Sequence, residues 1–582
     1  MHVIATAGHV DHGKSALLRA LTGMEPDRWE EERRRGLTID LGFVWTDGAG
    51  GPIAFVDVPG HERFVGNMLA GVGPVPAVLF VVAADEGWMP QSAEHLLALH
   101  ALGVRHGVLA VTKADVMEAD LAAAEALEQI GGTSLGTVPW VSVSARTGDG
   151  LPELRAALDA LVGRLPASDA AAPVRLWIDR RFTIRGAGLV VTGTLAAGTV
   201  HTGDTLELTR TGDRFVVREI QTLNQPATEA SGVARVALNL RGPSRTEIER
   251  GDALATPATY RTTAVVDART RLCRPDDLPR ELLVHAGTAT VPCSVKPIGP
   301  DTARLRLAQP LPLRVGDRVV LRHDRGVAGG AVLLDVDPAP LNRRGATRRR
   351  AGELESYPDT PDAMGELNRR GIVRQPVLRT IGLDPPVAPL AGDWLVAPEL
   401  ARSLRQRLAA MVRQRTGDRS TAPLRVEDAR KALGLPDARL VPALVEKPLS
   451  IRDGVILPPE APDTLAPSVR DSLSTLEGQL AGKAFTVPTE DELSALGLAA
   501  AQIAAATRAG RLLRLAPGVV LLPATVDIAL GVLAALAQPF TAGQAREALG
   551  TTRKVIVPLL EYLAVQGRTR RDRDGNHRVI AR

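Results

Sequence analysis

Apolar runs of strand length alternate with helical patterns from Met1 to about Leu165. The runs are rich in Val and Ile, and most end in a loop that carries polar residues; they read HVIATAG, IAFVDVPG, VLFVVAAD, GVLAVTKAD and VPWVSVSA. Strands of this kind, separated by helices, are typical of a parallel sheet buried on both faces. Ligands of such sheets bind where the strand ends meet the loops. The pattern therefore predicts an α/β domain over residues 1–170 with a site at one sheet edge.

The pattern changes after a short Ala- and Pro-rich segment, PASDAAAP, which predicts a linker. Alternating strands with frequent turn signals follow, and this spacing predicts two β-barrels, over residues 174–258 and 259–340. A run of arginines, NRRGATRRR, then predicts a basic linker over residues 341–351. The middle of the chain is thus expected to be all-β.

The rest of the chain repeats a unit of about sixty residues, in which sequence with a helical pattern is followed by a short hairpin. The hairpins read PLSIRDGVILPP, RLLRLAPGVVLLP and RTRRDRDGNHRVIAR. Helices followed by a β-wing predict an array of winged-helix modules, over residues 352–391, 392–460, 461–523 and 524–582, the first of them degenerate. On sequence alone the inner modules serve equally well as spacers. Pro558 predicts that the last long helix, within 551–566, starts late or kinks.

Length, charge and cysteine content narrow the class of protein. A chain of 582 residues predicts several domains, and its formal net charge of +4 is small for that length. Residues 541–582 hold nine Arg or Lys against four Asp or Glu, so this segment is expected to meet an anionic partner. Two cysteines are too few for a disulfide framework. The start lacks the pattern of a signal peptide and the apolar runs are short, which predicts a cytoplasmic protein.

The segment from Gly8 to Ser15, GHVDHGKS, fits a phosphate-binding loop between a strand and a helix. Its glycines let backbone N–H groups curl around phosphate oxygens, Lys14 is expected to reach the β- and γ-phosphates, and the Ser15 hydroxyl is expected to bind Mg²⁺. A chance glycine-rich turn can match the same pattern, but the strand and helix on either side favour the loop.

Four further segments follow in the order expected of a GTPase. Thr38 is a second candidate Mg²⁺ ligand, and Asp57 and Gly60 end a strand near the metal's water and the γ-phosphate. Asp115, in TKAD, is expected to accept two hydrogen bonds from guanine, and Ser144 and Ala145 to supply a donor to its O6. The predicted GTP-binding residues are Gly8, His9, Val10, Asp11, His12, Gly13, Lys14, Ser15, Ala16, Gly60, Thr112, Lys113, Asp115, Ser144, Ala145 and Arg146; the predicted metal ligands are Ser15, Thr38 and, through water, Asp57.

His61 follows directly in DVPGHERF. A histidine at this place can orient the attacking water, the role that a glutamine has in other GTPases. His61 is therefore the candidate catalytic residue.

The segments HVDHGK, RGLTIDLGF, DVPGHERF and TKAD resemble those of translational GTPases of the elongation factor Tu type. IDLGF, GAGLVVTGT and RKVIVPLLEYL make the chain more similar to the family of bacterial selenocysteine-specific elongation factors. Most GTPases carry Asn where this chain has Thr112, which leaves open whether a side chain tethers the phosphate loop. The resemblance covers nearly the whole chain and implies the same architecture: a P-loop GTPase domain, two barrels and winged helices.

The resemblance also implies partners and a pocket. The expected ternary complex contains GTP, the protein as a monomer and selenocysteinyl-tRNA, with Mg²⁺ at the nucleotide, and GTP hydrolysis leaves GDP. The complex is delivered to the ribosome at UGA codons that an mRNA hairpin (SECIS) marks. The family's amino-acid pocket maps onto Asp179, Arg180 and Arg235. A selenol is largely ionised at neutral pH, so a cationic pocket prefers it to the neutral serine hydroxyl.

The last module is expected to bind the RNA hairpin through its helix start and its wing. The predicted contacts are Arg546, Arg553, Lys554, Arg570, Arg571 and Arg573. Two alternatives stay open: another tRNA-carrying translational GTPase, and a GTP-regulated winged-helix protein that binds DNA.

Overall fold

The computed structural model describes residues 1–26, 38, 40–61, 64–73, 75–186, 188–243, 246–417, 424–458, 467–572 and 575–580. The chain divides into two compact units, Met1–Leu404 and Arg405–Arg582. Among the described residues, no helix is both long and apolar enough to cross a bilayer.

The first unit opens with a six-stranded sheet in the order β2-β3-β1-β4-β5-β6. Its strands are β1 His2–Ala7, β2 Gly42–Thr46, β3 Ile53–Asp57, β4 Ala77–Ala83, β5 His106–Thr112 and β6 Trp140–Ser142. The helices around it are α1 Lys14–Thr22, α2 Val65–Val72, α3 Pro90–Leu102, α4 Asp120–Gly131 and α5 Leu151–Val162. Every residue of β4 is buried, as expected for a Val-rich strand covered on both faces.

All five predicted strands are present, and they pair in parallel. The additional strand β2 pairs with β3 in antiparallel orientation at the edge of the sheet. Only six residues join β2 to β3, which is too short for a parallel crossover. The purely parallel expectation was therefore wrong at this edge.

Two barrels follow. The first is built from β7 Arg175–Ile184, β8 Gly188–Leu195, β9 Thr199–His201, β10 Thr205–Leu208, β11 Arg214–Thr222, β12 Gln225–Ala227, β13 Glu229–Ser231, β14 Ala234–Arg241 and β15 Ala253–Ala255. Pairing of β10 with both β15 and β11 closes its ring. The second is a closed barrel in the order β16-β19-β18-β17-β20-β21. Its strands are β16 Thr262–Arg271, β17 Glu281–Ala286, β18 Ala289–Pro297, β19 Thr302–Pro312, β20 Arg318–His323 and β21 Gly326–Asp335, with a 3-10 turn at Pro275–Asp277.

The segment predicted as a basic linker, residues 341–351, is helical from Ala346 onward, because helix α6 spans Ala346–Glu355. Its Arg350 is buried and donates to Asp267 (Nε–Oδ2 2.7 Å) and Asp335 (Nη2–Oδ2 2.5 Å) of the second barrel. Arg304 binds the same fully buried Asp267. Buried charges are tolerated when they are paired and hydrogen-bonded, and here they fix α6 to the barrel. The linker interpretation is corrected: this segment is packed structure.

The elements that follow α6 also pack on the second barrel. They are α7 Ala363–Arg370, β22 Ile372–Arg374, α8 Gln375–Thr380 and β23 Trp394–Val396. Leu367, Leu378 and Leu395 are fully buried and belong to one core with the barrel residues. The residues assigned to the degenerate first winged module thus share the hydrophobic core of the second barrel.

Helix α9, Pro398–Gly417, spans the division between the units. The second unit contains three groups of elements, each ending in a hairpin. The first group is β24 Leu424–Arg425, α10 Val426–Leu433, α11 Leu440–Leu444, β25 Ser450–Arg452 and β26 Val455–Leu457, and the second is α12 Pro467–Ala481, α13 Glu490–Ala495, α14 Ala500–Arg508, β27 Leu513–Ala516 and β28 Val519–Leu521. The third is α15 Thr525–Ala534, α16 Ala542–Ala548, α17 Arg553–Val565, β29 Thr569–Arg571 and β30 His577–Val579. The three predicted hairpins form as β25–β26, β27–β28 and β29–β30. The exact module boundaries stay a prediction.

Pro558 lies inside α17, which begins at Arg553 rather than at residue 551. A proline in a helix removes one backbone hydrogen bond. Five apolar residues of the helix are buried, Val555, Ile556, Leu559, Leu560 and Leu563. Their burial offsets that loss, so the helix continues to Val565.

Candidate nucleotide, aminoacyl and RNA sites

The phosphate loop joins β1 to α1 and depends on two glycines. Gly8 has φ 133°, and a Cβ there would lie 2.1 Å from the Val81 carbonyl oxygen. Gly13 has φ 79° and caps α1. Only glycine adopts both conformations without strain, so the loop can wrap its N–H groups around an anion. His9, Val10, Asp11 and His12 complete the loop, and Ala16 lies exposed in the first turn of α1.

Lys14 is buried behind this loop. Its Nζ donates to the carbonyl oxygens of Gly8 (3.0 Å) and His9 (2.6 Å). Burial lowers the pKa of Lys14 to about 8, although Asp57 and Asp11 pull it upward. Burial disfavours the charged form of this lysine, whereas a nearby anion favours it. Phosphate oxygens bound beside Nζ would therefore keep Lys14 protonated.

Three side chains with oxygen atoms that could bind a metal lie beside Lys14: Ser15, Thr38 and Asp57. The Ser15 hydroxyl donates to Asp57 Oδ2 (2.6 Å) and lies 3.0 Å from Thr38 Oγ1. Asp57 is fully buried, and Thr6 holds its other oxygen at 2.9 Å. Hydroxyl and carboxylate oxygens are the donors that Mg²⁺ prefers, so this set fits the predicted metal. Among the described residues, no cluster of three or more His, Cys, Asp or Glu forms a separate metal site.

Gly60 and His61 lie in the loop that follows β3. A Cβ on Gly60 would lie 2.6 Å from both Lys14 Nζ and the Val10 nitrogen, so the glycine permits a close approach to the phosphate loop. The His61 ring contacts Phe64, with ring centroids 5.9 Å apart. The candidate catalytic histidine is therefore on the loop that reaches the phosphate loop.

Thr112 supplies the tether that sequence reasoning left open. Its hydroxyl donates to the His12 carbonyl oxygen at 2.7 Å. The residue is buried at the end of β5, which β4 separates from β1, the strand that leads into the phosphate loop. A threonine thus replaces the asparagine of other GTPases in linking the two loops.

Asp115, Ser144 and Arg146 form one hydrogen-bonded group where the guanine base is expected. Ser144 donates to Asp115 Oδ1 (2.6 Å) and Arg146 Nε to Oδ2 (2.7 Å), and hydrogen bonds from these two residues lower the pKa of Asp115. The carboxylate is therefore ionised and fixed, as an acceptor for a base must be. Ala145 lies between Ser144 and Arg146 on the same loop.

Lys113 lies two residues before Asp115, in the loop after β5, and forms ion pairs with two acidic side chains. Its Nζ binds Glu86 (2.7 Å) and Asp85 (3.1 Å). Burial would lower the pKa of Lys113, but these hydrogen bonds outweigh it and leave the pKa raised. The residue follows Thr112 with φ 57°.

Helix α3 holds the phosphate loop from behind through two residues that sequence reasoning missed. His95 Nδ1 accepts from the Gly8 N–H (3.1 Å) and Gln91 Oε1 from the Val10 N–H (3.1 Å). Burial lowers the pKa of His95 to about 3, so the ring is neutral and can accept. Their spacing of four residues places both on one helix face, which is the signal that was available in the sequence.

The predicted amino-acid pocket lies on the first barrel. Arg235 makes a forked contact with Asp179, and its Nη2 also donates to Thr192 Oγ1 (3.0 Å). The guanidinium carbons of Arg235 and Arg180 lie 3.7 and 5.2 Å from the ring centre of Phe43, which belongs to β2. Arg180 and Arg235 line a cavity of about 140 Å³ together with Phe43, Phe182, Thr192 and Gln221. The structure thus brings all three predicted pocket residues together and adds Phe43 and Thr192.

A second cluster of predicted residues lies in the last module. Arg546, Arg553 and Arg571 line one groove of about 470 Å³ together with Glu561 and His577. Arg570 is exposed on the opposite face of its strand from Arg571, because side chains alternate along a strand. Lys554 points its ammonium toward Gly518. Arg573 lies outside the described residues.

Family models match three parts of the chain. The elongation factor Tu GTP-binding domain matches residues 1–164, and elongation factor Tu domain 2 matches residues 188–255. The winged helix of elongation factor SelB matches residues 532–580. These matches cover the phosphate loop, Arg235 of the predicted pocket and the groove of the last module, whereas Asp179 and Arg180 lie between the first two matches.

Relatives and a solved structure agree with these matches. The selenocysteine-specific elongation factor of Desulfomicrobium baculatum is 37% identical over 62% of this chain and 59% of its own length. That of Escherichia coli is 36% identical over 76% of this chain and 75% of its own. A crystal structure of a bacterial selenocysteine-specific elongation factor, EF-Sec, is 25% identical, with TM-score 0.67 over all of both chains. The chain thus spans less than two thirds of the first relative and about three quarters of the second.

Proposed function

We propose a function from one premise: the chain belongs to the selenocysteine-specific elongation factors, which are translational GTPases of the elongation factor Tu type. The protein binds GTP and selenocysteinyl-tRNA and delivers the tRNA to the ribosome at UGA codons that an mRNA hairpin marks. Ribosome contact triggers GTP hydrolysis, after which the factor releases the tRNA. The protein acts in the cytoplasm, where translation takes place.

At the nucleotide site, the backbone of the phosphate loop and Lys14 bind the phosphates. Ser15 and Thr38 would hold Mg²⁺ directly and Asp57 through water, and the ion would neutralise phosphate charge. Asp115 accepts from the guanine N1–H and 2-amino group, with Ser144, Ala145 and Arg146 around the base. His61 orients the water that attacks the γ-phosphate.

One observation carries the choice of cargo: two guanidinium groups, Arg180 and Arg235, line a small cavity on the first barrel, beside β2 of the nucleotide-binding domain. Asp179 fixes Arg235, and the cavity has room for a small side chain. A selenolate is anionic at neutral pH, and charge-assisted hydrogen bonds to it are about twice as strong as neutral ones. Serine, the neutral precursor, gains much less from the same cations.

The last module binds the hairpin. Arg546, Arg553 and Arg571 converge on one groove, and cations at a helix start and a wing suit a phosphate backbone. In this way the second unit restricts delivery to a marked message. The inner modules join the last module to the carrier part of the chain.

The test compares binding of the GTP-loaded chain to selenocysteinyl-tRNA and to the same tRNA charged with serine. We expect a preference of about tenfold or more for selenocysteine, the value of one charge-assisted hydrogen bond. Arg180→Ala should remove most of it, whereas Arg218→Ala, an exposed arginine of the same barrel, should not. Arg235→Ala is a poorer probe because it leaves Asp179 buried without its partner. Equal binding of the two tRNAs by the unaltered chain would contradict the proposal.

A further inference from the structure

Asp40 lies between the nucleotide site and the amino-acid pocket. Its Oδ2 accepts from Arg180 Nε at 3.0 Å and lies 2.9 Å from Arg180 Nη2. Its Oδ1 is 3.5 Å from Arg250 Nη1. The Leu41 carbonyl oxygen accepts a further bond from Arg180 Nη2. A carboxylate of the nucleotide-binding domain thus holds a cation of the pocket on the barrel.

These contacts fix the orientation of Arg180. They use Nε and Nη2, which lie on one edge of the planar guanidinium, while the group as a whole lines the cavity. Arginine presents its donors in a rigid fork, so holding one edge also sets the direction of the remaining donors. Arg235 is fixed in the same manner by Asp179 and Thr192, which belong to its own barrel. The two cations of the pocket therefore differ in one respect: Arg180 depends on another domain for its partner.

The same segment reaches the nucleotide site. Thr38 is two positions before Asp40, a distance of at most about 7 Å along the chain. Its hydroxyl lies 3.0 Å from that of Ser15, which in turn donates to Asp57. In this structure, Thr38 contacts the predicted metal ligand Ser15, and at the same time Asp40 contacts Arg180.

We propose that Asp40 is a positioning residue that couples the nucleotide to the cargo. When Thr38 is engaged at the nucleotide, Asp40 holds Arg180 in the orientation that receives the selenolate; when Thr38 is released, Arg180 loses this partner. The inference rests on the proposed function, since it concerns the same pocket. Coupling between two binding sites is reciprocal, so selenocysteinyl-tRNA must also tighten the binding of GTP by the same factor.

The test uses the full chain loaded with GDP or with a non-hydrolysable GTP analogue. For Asp40→Asn, we expect affinity of the triphosphate form for selenocysteinyl-tRNA to fall by about tenfold, within the usual range for allosteric coupling. Affinity of the GDP form and affinity for the serine-charged tRNA should change little. Asp47→Asn makes the same charge change at an exposed position of the same domain and should leave all four affinities unchanged. The affinity for the GTP analogue without tRNA reports whether the variant is folded.

A double-mutant cycle separates positioning from a general effect on structure. If Asp40 acts through Arg180, Asp40→Asn should have almost no further effect in an Arg180→Ala background. Additive losses would overturn the inference. So would an unchanged ratio of triphosphate to GDP affinities in Asp40→Asn, or a gain in affinity, which would make Asp40 a competitor of the cargo. If the unaltered chain does not prefer selenocysteinyl-tRNA, the proposed function itself fails; if it does, a negative result for Asp40→Asn overturns the coupling alone.

Discussion

The arginines of the first unit and those of the last winged module differ in their surroundings. In the first unit, Arg235 and Arg304 are largely or fully buried and make forked contacts with Asp179 and Asp267. In the last module, Arg553, Arg570 and Arg571 are exposed. A cation fixed in a water-poor site can recognise one charged group, whereas exposed cations attract an extended polyanion in a salt-dependent manner. The comparison fits one small ligand in the first unit and an RNA backbone in the second.

The largest effect should come from a change that disables the first unit and spares the second. In His61→Ala, we expect ribosome-stimulated GTP hydrolysis to fall by about two to four orders of magnitude, because the attacking water loses its orienting group. Nucleotide affinity and binding of the mRNA hairpin should stay near normal. Single-turnover release of phosphate measures the rate, and His201→Ala, an exposed histidine of the first barrel, is the control. Unchanged hydrolysis would remove His61 from the mechanism.

Removing one partner of the buried ion pairs in the first unit should lower the free energy of unfolding strongly. Asp267→Ala leaves Arg304 and Arg350 without their shared partner, and the cost of breaking such a buried pair is about 3–5 kcal/mol of unfolding free energy. Urea unfolding followed by far-UV circular dichroism measures it in both regions, whereas tryptophan fluorescence would not report on the last module, since no tryptophan follows Trp394. Glu547→Ala breaks an exposed pair with Arg546 in the last module and should leave the free energy of unfolding nearly unchanged. Similar costs at the two positions would contradict the contrast between the regions.

Salt dependence should distinguish the cations of the last module from one another. Arg553→Ala and Arg571→Ala should each lower the affinity for the hairpin and reduce the slope of log K against log salt by about 0.7–0.9. Lys554→Ala should have the smaller effect, because its ammonium lies near Gly518 and not in the groove. Filter binding at several salt concentrations provides both values. An equal slope change in all three variants would mean that the groove does not define the RNA contact.

The smallest effect concerns pH at the phosphate loop. The pKa of Lys14 is lowered to about 8, and bound phosphates raise it because they favour the charged form. The contribution of Lys14 to nucleotide affinity is therefore fully present below the free pKa of about 8 and is lost progressively as pH rises from there to the raised pKa of the complex. We expect GDP affinity to weaken by roughly sixfold between pH 7 and 8.8, from the linkage of protonation to binding.

Lys14→Arg is the matched control for this dependence, since a guanidinium stays protonated over the whole range. Its affinity should be lower at every pH but should lack the decline above pH 8. Ionisation of the guanine base is common to both proteins and cancels in the comparison. The same decline in both would show that Lys14 is not its source.

The fold of the nucleotide-binding domain could be predicted because polar motifs follow Val-rich strands, and parallel strands bring their ends to one edge. The phosphate loop, Asp57 and Asp115 were recognisable for that reason. The tether from Thr112 to His12 was not, since it depends on a contact between loops 100 residues apart in sequence. Local patterns do not encode such distances.

Arg350 illustrates the same limit. It is one of several arginines in a run that resembles a solvated linker, yet it alone of its neighbours in RRR is buried. Its burial depends on Asp267, 83 residues earlier in the chain. Asp40 was missed for a related reason: IDLGF marked the family, but only the folded arrangement brings its carboxylate to Arg180. Pairs of distant charges become visible when both elements are placed.

The proposed function is delivery of selenocysteine to marked UGA codons, and reconstituted translation measures this delivery in one reaction. The message carries one UGA codon followed by the hairpin, and the mixture contains selenocysteinyl-tRNA, GTP and the full chain. We predict a full-length product with selenium at the UGA position by mass spectrometry, and its loss when the chain or the hairpin is left out. Insertion that does not depend on this chain, or insertion of serine with equal yield when the same tRNA is supplied charged with serine, would contradict the proposed function.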